Sequence, residues 1–374
     1  MRARYASGVA AGPGTHDLSQ MPDTTALRAP CGAVVRSSTA PLPRHAALAP
    51  DYDVTNTVQV SSTASVAAAV RELFAAAWPG ESFDRVAVAF DHFDRLFTGR
   101  MPGYHGVDTV YHDLQHSLDM TLAMARMMVG YESTVPALER FGAERAVMAI
   151  ATSLFHDAGY IREFEDRTHR NGAEFTLYHV TRSARFLARF LPTIGMASWV
   201  PIATRVVHFT GYEVELSQIQ LPDPRDRKLG HLLGTADLVA QMADRCYLEK
   251  CRDRLYPEFV LGGIAAVPGS NGALQVRYSS GLDLLRQTPR FARETRTLRL
   301  EGEFEHAYRY LEALFDGKNP YIEAIDRNLG FLDRVLRTER WPLLRRNPPL
   351  FTSEDDQLGQ VRGLMLNRLK TLWA

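Results

Sequence analysis

Three short stretches of this chain carry residues able to bind a cation or move a proton. The first reads Tyr111-His112-Asp113-Leu114-Gln115-His116-Ser117-Leu118-Asp119. Its spacing predicts a helix over 110–130 with His112, His116 and Asp119 on one face. Leu114, Leu118, Leu122 and the run from Met124 to Met128 make that helix strongly apolar, so its polar stripe is expected to border a buried cavity; a solvated surface helix is the alternative. The second stretch is the apolar run Ala146 to Phe155, which ends in His156-Asp157 and predicts a central helix over 143–158. Burying an ionised carboxylate without a partner is prohibitively costly, so Asp157 needs a divalent cation held with neighbouring imidazoles, or else an arginine. In the third, Thr235 to Met242, Asp237 stands alone among apolar residues. His116, His156, Asp157 and Asp237 together offer imidazole nitrogen and carboxylate oxygen, a mixture that suits zinc, manganese, iron, nickel or cobalt, with magnesium not distinguished from them.

Helical periodicity is also what surrounds these stretches. Apolar spacing from Val66 through Val70, Leu73, Phe74 and Trp78, closed by Pro79-Gly80, predicts a first helix. Further helices are expected at about 83–98, 172–191, 198–210, 227–254, 280–290, 301–316, 319–339 and 354–373. Strand-like alternation is scarce and confined to pieces such as Leu274 to Tyr278, so the expected fold is all-α. Residues 1–60 are rich in proline and poor in apolar periodicity, which predicts a poorly ordered leader. The division expected is a catalytic helical domain over 61–275 and a C-terminal helical extension over 276–374, packed on that core or on a second subunit.

Composition narrows the class without choosing a substrate. Acidic and basic residues balance at 43 each, so no net field points to nucleic acid or to an anionic membrane. The longest apolar run is too short to span a bilayer, which argues against a membrane partner. Three cysteines, Cys31, Cys246 and Cys251, make no disulfide framework, and a reducing, cytoplasmic compartment is expected. No P-loop, dinucleotide-binding glycine fingerprint or nucleophile elbow is present.

The order His116, then His156-Asp157, then Asp237 resembles the HD-domain superfamily of metal-dependent phosphohydrolases over about 84–260. The stretch Tyr-His-Asp-x-x-His-x-x-Asp is similar to the first signature of class I cyclic-nucleotide phosphodiesterases, which usually has Asn where Asp113 stands. The resemblance implies an HD-type helical bundle in which His116, His156, Asp157 and Asp237 hold a first metal ion and His112 is the general acid beside it. It also implies that His179 and His208 are ligands for a second ion bridged by Asp157, although a satisfied core histidine is the ordinary role of a lone imidazole on an apolar helix. The glutamine with which the phosphodiesterases grip a purine has no clear match, so cyclic-nucleotide specificity does not carry over. The expected activity is hydrolysis of a nucleotide or other phosphate ester by metal-activated water, with Asp113 or Asp119 orienting imidazoles.

Two other classes stay open at this level. A few members of the superfamily bind two irons and activate oxygen with a similar residue set, and a regulatory module could keep the ligands but sense a nucleotide through the C-terminal helices. The charged segment Arg162 to Arg170, with His169 inside it, reads as a solvated loop or as a rim that meets substrate phosphate.

Overall fold

The computed structural model describes residues 49–268 and 273–373. Its helices are α1 (Thr63–Ala77), α2 (Asp84–Phe97), α3 (Leu114–Thr134), α4 (Gly142–Leu154), α5 (His179–Phe190), α6 (Val200–Val206), α7 (Pro224–Ala243), α8 (Tyr247–Lys250), α9 (Tyr256–Leu261), α10 (Gly281–Glu294), α11 (Pro320–Thr338) and α12 (Gln357–Trp373). Short 3-10 turns link many of them, and Cys251–Leu255 and Thr295–Glu303 are π-helical. The only sheet among the described residues is a two-stranded antiparallel hairpin, β1 (Ala266–Pro268) with β2 (Leu274–Val276). The fold is all-α, as the periodicity predicts.

Helix α3 is the axis of the molecule. Almost every residue on it is buried, which explains why its sequence is apolar on all sides, and α1, α4 and α7 pack around it. The 3-10 segment Ala307–Leu314 also lies against α3, and it comes so close that a Cβ on Gly130 would sit 1.8 Å from the Tyr310 carbonyl oxygen. From the other side, Asn328 on α11 donates to the carbonyls of Met242 and Asp244 at the end of α7. The chain from 276 onward is thus laid over α3 and α7. A strap over 345–353 covers the start of α3: the Leu114 amide donates to the Phe351 carbonyl, and Arg254 donates to the carbonyls of Pro348 and Pro349.

Local capping sets boundaries that differ from the expected ones. Asp113 is the N-cap of α3, its carboxylate accepting from the His116 amide at 3.1 Å, so the helix opens at Leu114 and His112 precedes it. Helix α4 stops at Leu154, and His156-Asp157 lies in the turn beyond it rather than on the helix. The segment expected as one helix over 227–254 breaks at Asp244 into α7, α8 and a π-helical turn. Residues 49–60 do not belong to a poorly ordered leader, because buried Asp53 accepts from the amides of Thr55, Thr57 and Val58. Residues 1–48, with Cys31, lie outside the described residues; Cys246 and Cys251 are buried free thiols.

Candidate metal centre

Three segments deliver the predicted ligands to one buried point. The first turn of α3 brings His116, the turn after α4 brings His156 and Asp157, and the middle of α7 brings Asp237. The Nε2 atoms of His116 and His156 stand 3.3 Å apart. Asp157 Oδ2 is 3.4 Å from the first and 3.2 Å from the second. Asp237 Oδ1 approaches to 3.2 Å from His116 and 3.9 Å from His156. His116, His156 and Asp157 form a group whose ligand atoms all lie within 4.8 Å of one another, so they could hold a metal ion. All four residues are buried.

The imidazoles are oriented from behind. His156 Nδ1 is 2.8 Å from the Ser153 carbonyl and His179 Nδ1 is 2.8 Å from the Thr176 carbonyl. A carbonyl can only accept, so each Nδ1 carries a proton and each Nε2 is the nitrogen turned toward the site. Asp157 Oδ2 is enclosed and, although two imidazole nitrogens lie close, none is aligned to hydrogen-bond it. Among the described residues no arginine or lysine pairs with Asp157; its ion pairs are with the imidazoles of His116, His156 and His179. Burial raises the Asp157 pKa, but the imidazoles of His156 and His116 beside it outweigh burial and hold the carboxyl well below its ordinary range. For His116 burial acts downward, and Asp157 and Asp237 together carry the imidazole up to about 10. Donors with this appetite for positive charge are suited to a divalent cation.

The other predicted residues divide. His112 reaches the site from the loop before α3, its ring 5.8 Å from that of His116 and stacked on Tyr160 at 4.6 Å. His179 Nε2 lies 3.7 Å from Asp157 Oδ1, the oxygen that faces away from the His116–His156 pair. That approach depends on Gly159, where a Cβ would fall 1.8 Å from the His179 carbonyl oxygen. His208 is not within ion-pair distance of Asp157; its Nδ1 is enclosed without a partner, and burial outweighs the charge of Glu213 to lower its pKa. Asp113 is occupied in capping α3, with its second oxygen 3.7 Å from Arg254. Asp119 makes no recorded bond to a site imidazole. His169 pairs instead with Asp166 and Tyr178 in the charged loop.

Two residues escaped the sequence reading. Glu258, fully buried on α9, accepts from the amides of Val110 and Tyr111 and from His112 Nδ1, each at 2.6 Å. Burial alone would lower the His112 pKa; the Glu258 carboxylate outweighs it and raises it. A lone acid within Tyr-Pro-Glu-Phe-Val-Leu was the available signal, the same one that identified Asp237. The second is Gln241, one turn beyond Asp237: its amide donates to Asp237 Oδ1 at 3.2 Å while its carbonyl accepts from the Tyr111 hydroxyl at 3.1 Å.

Compared with family models and with curated proteins, the chain matches none. No described helix is long and apolar enough to cross a membrane.

Proposed function

We propose that this protein is a metal-dependent phosphohydrolase of the HD type, acting on a nucleotide or other phosphate ester. The observation that carries the reading is the convergence of His116, His156, Asp157 and Asp237, with Asp157 Oδ2 enclosed beside two imidazole nitrogens. A bound ion would lower the pKa of a coordinated water toward neutrality and draw charge from a phosphoryl oxygen. The remaining work belongs to the chain. Asp157 and Asp237 supply negative charge, and the backbone carbonyls behind His156 and His179 fix their tautomers. His112 retains its proton through Glu258 and is 17% exposed, so it can reach both solvent and a bound ester. It serves as general acid, passing that proton to the departing alkoxide.

The test is elemental analysis of protein purified without chelator, combined with hydrolysis of bis-p-nitrophenyl phosphate with and without added manganese. Bound divalent metal with metal-dependent diesterase activity is expected. Protein that takes up no metal when offered several would overturn the reading. One observation favours a second reading: His179 beside Asp157 Oδ1 suits a second ion bridged by that carboxylate, an arrangement shared with di-iron oxygenases of the superfamily. Two irons per chain with substrate-dependent oxygen uptake and no ester hydrolysis would decide for it.

A further inference from the structure

The turn that follows His156-Asp157 ends on an aromatic residue. Ala158 to Tyr160 form a 3-10 turn in which the Tyr160 amide donates to the Asp157 carbonyl at 3.0 Å. The Tyr160 ring is fully buried, and it is stacked with two imidazoles. Its centroid lies 4.6 Å from that of His112 and 4.3 Å from that of His179, each pair inclined by 19°. The two imidazoles are 6.3 Å from each other.

The far end of the phenol is tied down as well. Thr176 Oγ1 donates to the Ala173 carbonyl at 2.6 Å, so in its hydrogen bond with the Tyr160 hydroxyl it accepts. The carbonyl of the same threonine accepts from His179 Nδ1. Thr176 thus holds the phenol by its side chain and His179 by its backbone.

Each imidazole needs what the ring supplies. His112 lies ahead of α3 and is held at Nδ1 by Glu258 at 2.6 Å. A hydrogen bond at one nitrogen locates that edge of a ring but lets the ring swing about the bond, whereas a stacked aromatic face sets its plane. With Nδ1 given to Glu258, the proton for a leaving group departs from Nε2, along a direction that the plane of the ring decides. That plane is referred to Asp157 through a single short turn.

We propose that Tyr160 is a positioning residue for the proton donor: its ring fixes the plane of His112, and the turn behind it fixes that plane relative to Asp157. Tyr160 acts through His112 rather than on the ester. This rests on the phosphohydrolase reading and adds to it the part that aligns acid with ligand set.

The first measurement needs no turnover. In full-length protein free of manganese, nuclear Overhauser contacts should run from one tyrosine ring to the imidazoles of both His112 and His179, assigned through His112→Gln and His179→Gln, and Tyr160→Leu should lose them. Their absence from the unsubstituted protein would overturn the proposal whether or not the leucine variant folds. The manganese-loaded protein is then given two esters. Bis-p-nitrophenyl phosphate releases a weakly basic phenolate, whereas diphenyl phosphate releases one about as basic as that of tyrosine, near pKa 10, which departs more readily when protonated. Misplacing a reacting group by about 1 Å can cost about a hundredfold. Tyr160→Leu should therefore slow diphenyl phosphate about ten- to a hundredfold more than bis-p-nitrophenyl phosphate, and Tyr160→Phe, which keeps the ring, should bring the ratio back to within about threefold. Equal slowing of the two esters in the leucine variant, or loss of its manganese, would overturn the positioning role and leave the phosphohydrolase reading standing. A phenylalanine variant as selective in its loss as the leucine variant would overturn it too. Unsubstituted protein that hydrolyses neither ester would overturn the phosphohydrolase reading and the positioning role with it.

Discussion

Helix α3 carries buried charge in its first turn and again at Arg126 past its midpoint, and the two ends of that stretch are built on opposite plans. At Arg126 every charge has a protein partner: the guanidinium meets Asp53 and Tyr321, and Asp53 accepts from a backbone turn as well. At His116, about ten residues and roughly 15 Å away along the helix, two imidazoles and two carboxylates face one another without an arginine or lysine among them. Both ends are buried in the same core, so burial alone does not distinguish them. Satisfaction does. Protein partners close a structural cluster, whereas a functional one leaves acceptors turned toward a point that something else must fill.

The largest expected effect breaks the unsatisfied end. Asp157→Asn keeps the shape of the side chain and removes the charge on which both imidazoles converge. Bound metal should fall below a tenth of an equivalent and any metal-dependent hydrolysis by about a thousandfold or more. Elemental analysis and a hydrolysis assay on one preparation check this. A variant that keeps its metal would mean that the convergence around Asp157 is not the ligand set.

Breaking the satisfied end should do the reverse. Arg126→Leu strands the Asp53 carboxylate in the core, and losing one partner of a buried ion pair costs about 3–5 kcal/mol. Urea denaturation should show that loss, with metal content unchanged at temperatures where the variant is folded. Metal lost from the folded variant would mean that the two ends of that stretch are coupled and the contrast is false.

The third prediction lies between the two plans, at a group whose protein partner would serve the proposed chemistry. Glu258→Gln leaves the amides of Val110 and Tyr111 an acceptor but removes the charge that keeps His112 protonated. Hydrolysis should fall about ten- to a hundredfold, with metal content unchanged. Because the carboxylate raises the His112 pKa, its loss lowers that pKa, so the alkaline limb of the pH–rate profile should move to lower pH. A profile that falls in amplitude without shifting would reduce Glu258 to a structural role.

These contrasts mark where sequence reasoning works and where it stops. The all-α fold is legible because apolar residues recur at helical spacing, and the candidate ligands are legible because an acid or histidine inside an apolar run has few ways to be buried. Asp237 and the His156-Asp157 pair stand out for that reason. Helix ends are not legible with the same sharpness: Asp113 looks like one more polar residue on the face of a helix, whereas its carboxylate caps α3 and leaves His112 outside. Partnerships over long sequence separations are hidden further still. Nothing near His112 announces that Glu258 will support it, and nothing near Gly159 announces that His179 will pass close enough to require a glycine. The lone acid on α9 could have been noted; its partner could not.

The smallest effect sharpens the comparison with a third kind of buried group, one that stays neutral. His231, on α7 between Phe209 and Phe304, is buried and its Nδ1 has no hydrogen bond, the nearest Glu305 oxygen lying 3.6 Å away. Burial, helped by the positive charge of Lys228 and opposed by Glu305, lowers its pKa to about 4. Unfolded, the same imidazole titrates near 6.5. Between those values the unfolded chain binds a proton that the folded chain refuses, so the stability tied to a neutral His231 is fully present above about pH 6.5 and drains away as the pH falls toward 4. The Asp53 carboxyl is held below its ordinary value by Arg126 despite burial, so its contribution fails only at lower pH. The two structural clusters therefore titrate in separate windows. In His231→Leu the decline of the thermal midpoint between pH 6.5 and 4.5 should be shallower than in the unsubstituted protein, with the two curves spaced evenly from pH 7 to 8. If the curves instead ran parallel down to pH 4.5, the acid sensitivity in that window would belong to other groups, with the histidines of the candidate metal centre the next to substitute.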